Sequence, residues 1–416
     1  MVKADFDAFL KEYWTPARKE KTRFDDHPLL AMIPKDEGAA GDFAVTPIDL
    51  HDGGEGAANF AIAQAISRST SSQKKQFVHD WTEAFDIATV PNSLIRMSRN
   101  AEYAMAKAAE EYKKCESRLS NKLARGLYRT GYGEKGVISS ISTSTITLVD
   151  ASDSRFFSIG DELVFADSVS GDLLRDGGDY VSVTKVDHDA GTITTDATPD
   201  LATKVTGTVA GDFIFAHGDR EDSATPTRLL MPGLQAWIPD SAPSSTTFGG
   251  IDRTVWVSRL AGLRYPASGS ASGPIVETFL RALAHGGNYR AKFTHCFASP
   301  DVYADLLVSL EGQRGMRTVT EKVGTIGFSG FEINTGYTPK PLKVFVDGDC
   351  PPKRAYALNL DTWKLLSLGE LIQDDLMGSK GGARDVDDAS AIEWRRVFHG
   401  ALVCNDPGQN EVIKFA

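Results

Sequence analysis

The stretch NSLIRMSRNAEYAMAKAAEEYKKCESRLSNKLARGLYRT, residues 92–130, decides how the rest of the chain is read. Leu94, Met97, Ala101, Ala104, Met105, Ala108, Tyr112, Cys115, Leu119, Leu123 and Leu127 recur every three or four residues, which places them on one stripe of an amphipathic helix. Asn92 suits the N-cap, no proline interrupts the run, and Gly131 and Gly133 offer a left-handed stop. At about 1.5 Å per residue this helix would be roughly 55 to 60 Å long, more than one small core covers, so it reads as a beam. Alanine and tyrosine at seam positions, with no sustained heptad, argue against a coiled coil.

Around this beam the chain is of ordinary globular composition, with 416 residues, 41% hydrophobic and 24% charged, and has room for two or three domains. MVKADFDAFLKEYW lacks an apolar signal core, and no run of about 18 apolar residues occurs, so neither export nor a membrane partner is expected. Cys115, Cys296, Cys350 and Cys404 lie far apart with no CxxC pair and read as reduced cytosolic thiols rather than zinc ligands. The net charge of −11 is unevenly placed: residues 133–219 hold 15 acidic against 5 basic side chains, a net of −10, and the remainder holds 41 against 40. Residues 92–130 are basic, with 9 Lys or Arg against 4 Glu.

Residues 1–40 carry a short amphipathic piece (Phe6, Phe9, Leu10, Tyr13, Trp14) and close on HPLLAMIPKDEG; they make no core of their own and read as a helix packed on the body or as a docking arm. Residues 41–91 alternate as strands, with Phe43, Val45 and Ile48 in one and Trp81, Glu83, Phe85 and Ile87 on one face of another. Such a hairpin has too little apolar material to stand alone and needs a surface, which another subunit could supply. Residues 133–219 form short alternating strands separated by turns, a small β-barrel or sandwich with a hairpin turn at Asp187 to Gly191. A calcium loop at Asp187 and Asp189 is a weak alternative, because the closing glutamate is missing.

From Arg220 the pattern is mixed. Pro274 opens a helix that stops at Gly286 and Gly287, Lys292 to Ala298 is a strand, and Ser299 caps a helix beginning at Pro300. FEIN, LKVFVDGD and RAYALNL follow as strands, and Ile392, Trp394, Arg396, Phe398 and Leu402 alternate as another whose arginines are half exposed or paired.

Chemistry is hard to find. There is no GxxxxGK[ST], GxGxxG or HExxH, GSASG places Ala271 where a nucleophilic serine would stand, and the eight histidines are scattered. Catalytic, cofactor-binding and metal residues are therefore all expected to be none, and no cofactor is expected. Asp347-Gly348-Asp349 reads as a strand-end turn and Asp385 to Asp388 as a mobile polar loop.

The order of arm, projecting hairpin, long helix and α/β region resembles the major capsid proteins of tailed double-stranded-DNA bacteriophages, the Hong Kong 97 type of fold. TFGGIDRTVW (247–256), CFASPDVYADL (296–306), KVFVDGDCPPKRAYALNLDTWKL (343–365) and EWRRVFHGALVCNDP (393–407) are similar to stretches of that family. The resemblance implies an α+β chain with an N-terminal arm (1–40), an extended loop (41–91), a spine helix of a peripheral domain (92–132), an axial domain with adjoining peripheral strands (220–370) and a C-terminal peripheral segment (371–416). Residues 133–219 depart from the minimal pattern and look like an inserted all-β, barrel-like domain. The implied function is structural: copies join as hexamers and pentamers into an icosahedral shell around packaged double-stranded DNA, in the virion, after assembly in the host cytoplasm. The implied partners are other copies, a portal, a separate scaffolding protein, a decoration protein and, non-specifically, the DNA at the inner face. Alternatives are a tail or decoration component, or an enzyme with an auxiliary β domain.

Some relatives join a loop lysine to a neighbour's asparagine. Lys74 and Lys75 lie in the loop, and Asn405 and Asn410 near the C-terminus, yet spacing alone licenses no pairing and no cross-link is expected. The charge division favours an outward-facing acidic insertion and an inward basic helix, since packaged phosphate repels the one and attracts the other.

Overall fold

The computed structural model describes residues 27–51, 57–69, 73–92, 101–244, 247–310, 317–323, 326–333, 341–374, 383–386 and 390–416. The expected arm up to residue 26 and the first turns of the expected spine helix, 93–100, lie outside them. The chain divides into two compact units, one of residues 1–124 with 237–416 and one of residues 125–236.

The first unit is built on two sheets. In one, the fourteen-residue strand Ala391–Cys404 pairs along its length with Thr82–Pro91, from Ala391 opposite Pro91 to Gly400 opposite Thr82. It also pairs with Trp363–Ser367, Gln373–Asp374 and Ala383–Asp385. Asp385 therefore ends a strand rather than opening a loop. The second sheet has seven strands in the order Leu263–Tyr265, Glu411–Lys414, Arg354–Leu358, His295–Ala298, Leu342–Val346, Ile326–Ile333 and Arg317–Val323. Helices Ile275–Asn288 and Pro300–Leu310 bury Phe279, Leu283, Val302 and Leu306 in a core shared with Cys296, Val344 and Ile413 of this sheet. The expected block 371–416 is thus divided: Ala391–Cys404 belongs to one sheet and Glu411–Lys414 to the other.

Two helix ends differ from the sequence reading. Ile275–Asn288 runs through both glycines, because a bare Gly286 leaves room for the Phe293 ring. Ser299 starts the next helix through its carbonyl, which accepts from Tyr303 N–H at 2.9 Å, while its buried hydroxyl has no partner.

The spine helix is described from Ala101 to Gly126, roughly 39 Å at 1.5 Å per residue. Tyr112, Cys115, Leu119, Leu123 and Leu127 are buried, as the stripe requires. It ends five residues before the expected glycine stop, because a remote segment takes its free carbonyls: Leu234 N–H donates to Leu127 O, Gln235 N–H to Tyr128 O and Gly233 N–H to Arg129 O. A Cβ on Gly233 would collide with the carbonyl oxygens of Gly126 and Leu127, so this approach needs glycine.

The second unit holds six strands that close into a barrel, in the order Phe213–Ala216, Glu134–Ser142, Thr145–Leu148, Thr192–Thr195, Val181–Asp187 and Glu162–Ala166. Ile138, Ile146, Leu163, Phe165, Val181, Ile193 and Ile214 fill its interior. Ala190 N–H donates to Asp187 Oδ1 at 3.1 Å, so this aspartate closes the hairpin turn.

Candidate assembly surface

The segment 43–91 carries large apolar side chains that its own fold leaves in water. Strand Phe43–His51 pairs antiparallel with Gln73–Asp80, and the first strand turns Ala44, Thr46, Ile48 and Leu50 inward. Its outward face presents Phe43, 54% exposed, and Val45. Thr82–Pro91 repeats the inversion: Thr82, Ala84, Ala88 and Val90 are buried, whereas Phe85 and Ile87 face out. Alternation was legible, but the larger apolar face is the open one. Between the hairpin strands lies a helix, Phe60–Ser69, where the sequence had suggested strand and linker. Phe60 is 81% exposed and Ile62 54%. Full burial of a phenylalanine or isoleucine contributes roughly 1.5 to 3 kcal/mol, so covering this segment supplies a substantial driving force for association.

The other face of the hairpin already has a floor in the same chain. The Phe77 ring meets Trp237 edge-on at 5.0 Å, and His79 lies 4.8 Å from Phe248 and 5.0 Å from Trp237. Val78 N–H donates to Gly249 O at 2.9 Å. The surface that such a hairpin needs is thus supplied on one face by its own chain, and the other face is left open. The same applies to residues 28–36: Leu29, Leu30 and Ile33 are buried and Lys35–Asp36 pairs with Leu365 and Leu366.

A buried ion cluster fixes the root of the hairpin to the spine helix. Arg396, on the long strand and fully buried, donates to Asp374 Oδ1 at 2.7 Å, approaches Glu116 at 3.6 Å and lies 4.4 Å over the Tyr112 ring. The Tyr112 hydroxyl donates to the same Asp374 oxygen, and burial, reinforced by Asp374 and Glu116, pushes its ionisation far above the usual phenol range. On the neighbouring strand Asp86 accepts from Arg118 Nε and Nη2 at 2.9 and 3.0 Å. Arginine on the long strand is thus paired as expected, with partners from two separate segments, the spine helix and Gln373–Asp374, that no local pattern indicates.

The residues weighed for cross-linking are not assembled as a site. Asn410 is fully buried; its Oδ1 accepts from Trp363 Nε1–H at 2.8 Å and Asn359 N–H at 2.9 Å, and its Nδ2 donates to Asp406 O at 3.0 Å. Lys74 is exposed beside Asp49 at 3.5 Å. Among the described residues no three His, Cys, Asp or Glu side chains gather as a metal site, and all four cysteines are buried thiols.

No protein-family profile matches the sequence, and no curated protein matches it. In three dimensions the chain matches a subunit of the cyanophage A-1(L) capsid asymmetric unit, with a TM-score of 0.50 and 13% identity over 93% of this chain and 92% of that one. The chain has the fold of a phage capsid subunit. A capsid chain of a native GTA particle matches more loosely, at a TM-score of 0.42 and 11% identity over 93% of this chain and 89% of that one, and the fold rests on the first match. The capsid fold expected from the order of parts is therefore present, as a mixed α+β chain.

Proposed function

We propose that the chain is a major capsid protein whose copies join as hexamers and pentamers into a closed icosahedral shell around double-stranded DNA. The observation that carries this reading is the outward apolar side of segment 43–91, above all the exposed Phe60 and Ile62, on a chain of capsid fold. A monomer has no use for such a surface, whereas a shell subunit covers it with the next copy. An enzyme would instead need converging polar groups in a pocket. The test is electron microscopy of the expressed protein, with and without the hairpin tip.

Residues 133–219 are, on this reading, a barrel inserted into the capsid fold and carried on the outer surface of the shell. Support comes from charge. The net of −10 already subtracts the five cations, of which Lys135 is paired with Asp161 at 2.7 Å and Arg175 with Asp212 at 2.7 Å. At about 0.15 M salt the Debye length is roughly 8 Å, so repulsion by packaged DNA acts only on a domain held close to it. Protease added to filled particles should cut within 168–179 or 196–206 while the DNA stays protected; cleavage only after the shell is opened would place the barrel inside.

A further inference from the structure

The turn Asp347-Gly348-Asp349, unremarkable in sequence, meets the first described residues of the chain. His27 Nδ1 lies 2.6 Å from Asp349 Oδ2, and His27 Nε2 lies 2.9 Å from Asn121 Oδ1 on the spine helix. Asp347 completes the grip: its Oδ2 accepts from Leu29 N–H at 3.1 Å and its Oδ1 from Asp349 N–H at 2.9 Å. One imidazole thus ties three segments that are remote in sequence, with His27 and Asp349 322 positions apart.

Both ring nitrogens face oxygen. Oxygen of a carboxylate or amide only accepts, so both contacts are hydrogen bonds only when both nitrogens carry protons, that is, in the imidazolium form. A neutral ring keeps one donor and must present a lone pair to one of the two oxygens. The charged groups facing the ring are Asp349 and Asp347, both from the same turn, and the spine helix contributes the neutral Asn121. Among the described residues the charges acting on the ring are these carboxylates.

We propose that His27, Asp349, Asp347 and Asn121 form a proton-operated clip that fixes the root of the N-terminal segment to the spine helix and to the turn after strand Leu342–Val346. It is closed while His27 carries two protons and loosens when one is lost. Burial by itself lowers the His27 pKa, but the hydrogen bond and charge of Asp349 outweigh it and the net shift is upward. A raised histidine stabilises fully below its ordinary value of 6.5, and that contribution is lost as pH rises through the folded value. The clip therefore opens as pH rises above that ordinary value. In a shell subunit this makes the attachment of the arm, and through it any contact the arm makes, responsive to proton concentration.

Hydrogen exchange of the full-length protein, read by mass spectrometry on a peptide covering residues 27–33 and corrected for the intrinsic pH dependence of exchange, tests this. The amides of Leu29, Ala31 and Ile33 in that peptide are hydrogen-bonded. A hydrogen bond to a charged group is roughly twice as strong as a neutral one, so protection in the wild type should fall several-fold between pH 6 and pH 9. His27→Gln should abolish that pH dependence, and Asp349→Asn should move its midpoint to lower pH. A peptide covering 354–358 is the internal control for global unfolding. Protection that does not change with pH in the wild type, or that changes equally in His27→Gln, overturns the proposal. If His27→Gln does not fold, an unmoved midpoint in Asp349→Asn overturns it alone.

Discussion

Replacing Arg396 by methionine tests the buried ion cluster most sharply. Methionine keeps much of the apolar volume of the arginine stem while removing the charge, so little of the loss comes from an empty cavity. Glu116 then remains as a buried carboxylate with its cation gone, whereas Asp374, about a third exposed, can turn to water. Breaking a buried pair from one side costs about 3 to 5 kcal/mol, and the 3.6 Å separation from Glu116 argues for the lower end, about 3 kcal/mol. For a folding unit of about 300 residues, with an unfolding entropy of roughly 2.1 cal/mol/K per residue, that corresponds to a fall of roughly 5 °C in the unfolding midpoint. Scanning calorimetry of the full chain reads it. The double variant Arg396→Met with Glu116→Gln should recover at least half of the loss, since the more deeply buried of the two carboxylates facing Arg396 is then neutral. A single variant within about 2 °C of wild type, or a double variant no better than the single, would show that the cluster does not hold the hairpin root as described.

Denaturing gels of boiled particles should show a single species at 45.0 kDa, because the side chain of Asn410 is committed to internal bonds and Lys74 lies against Asp49; a ladder of multimers would contradict this. The pair of half-buried His285 and buried Glu411, 2.8 Å apart, sets a pH dependence in the seven-stranded sheet. The hydrogen bond to Glu411 raises His285 against its burial, and burial raises Glu411 against His285. Both raised values mean stability that is complete at low pH and lost as pH rises, from 4.5 upward for the glutamate and from 6.5 for the histidine. Glu411→Gln should therefore flatten the decline of the unfolding midpoint above pH 6.5, and equal slopes in variant and wild type would refute the assignment.

What was legible in the sequence was periodic. Tyr112, Cys115, Leu119, Leu123 and Leu127 announce a helix because their spacing alone fixes a stripe, and the alternation of Ile392 through Leu402 announces a strand for the same reason. The end of the spine helix was not legible, since it depends on backbone donors of residues 233–235, about a hundred positions away. Alternation also cannot tell which face of a strand is covered: Phe85 and Ile87 look like core, yet the body of the chain meets Ala84 and Ala88 instead. The helix Phe60–Ser69 was hidden by its Ala, Ser and Gln content, which reads equally as linker. His27 and Asp349 were individually bland, because their meaning arises only when the fold closes a separation of 322 positions.

Electron microscopy of the expressed chain beside a variant in which residues 52–72 are replaced by Asn-Gly bears most directly on the claim that the exposed side of the hairpin builds a shell. Removing all of 41–91 would also take out Thr82–Pro91, which is a strand of the central sheet, whereas the shorter replacement joins His51 to Gln73, already opposite each other in the hairpin. The wild type should form closed particles, and the variant should keep its unfolding midpoint within about 4 °C while forming none, since the large removed side chains of Phe60 and Ile62 are solvent-exposed in the single chain. Wild-type protein that stays a small oligomer under assembly conditions, or a folded variant that still closes shells, would contradict the account.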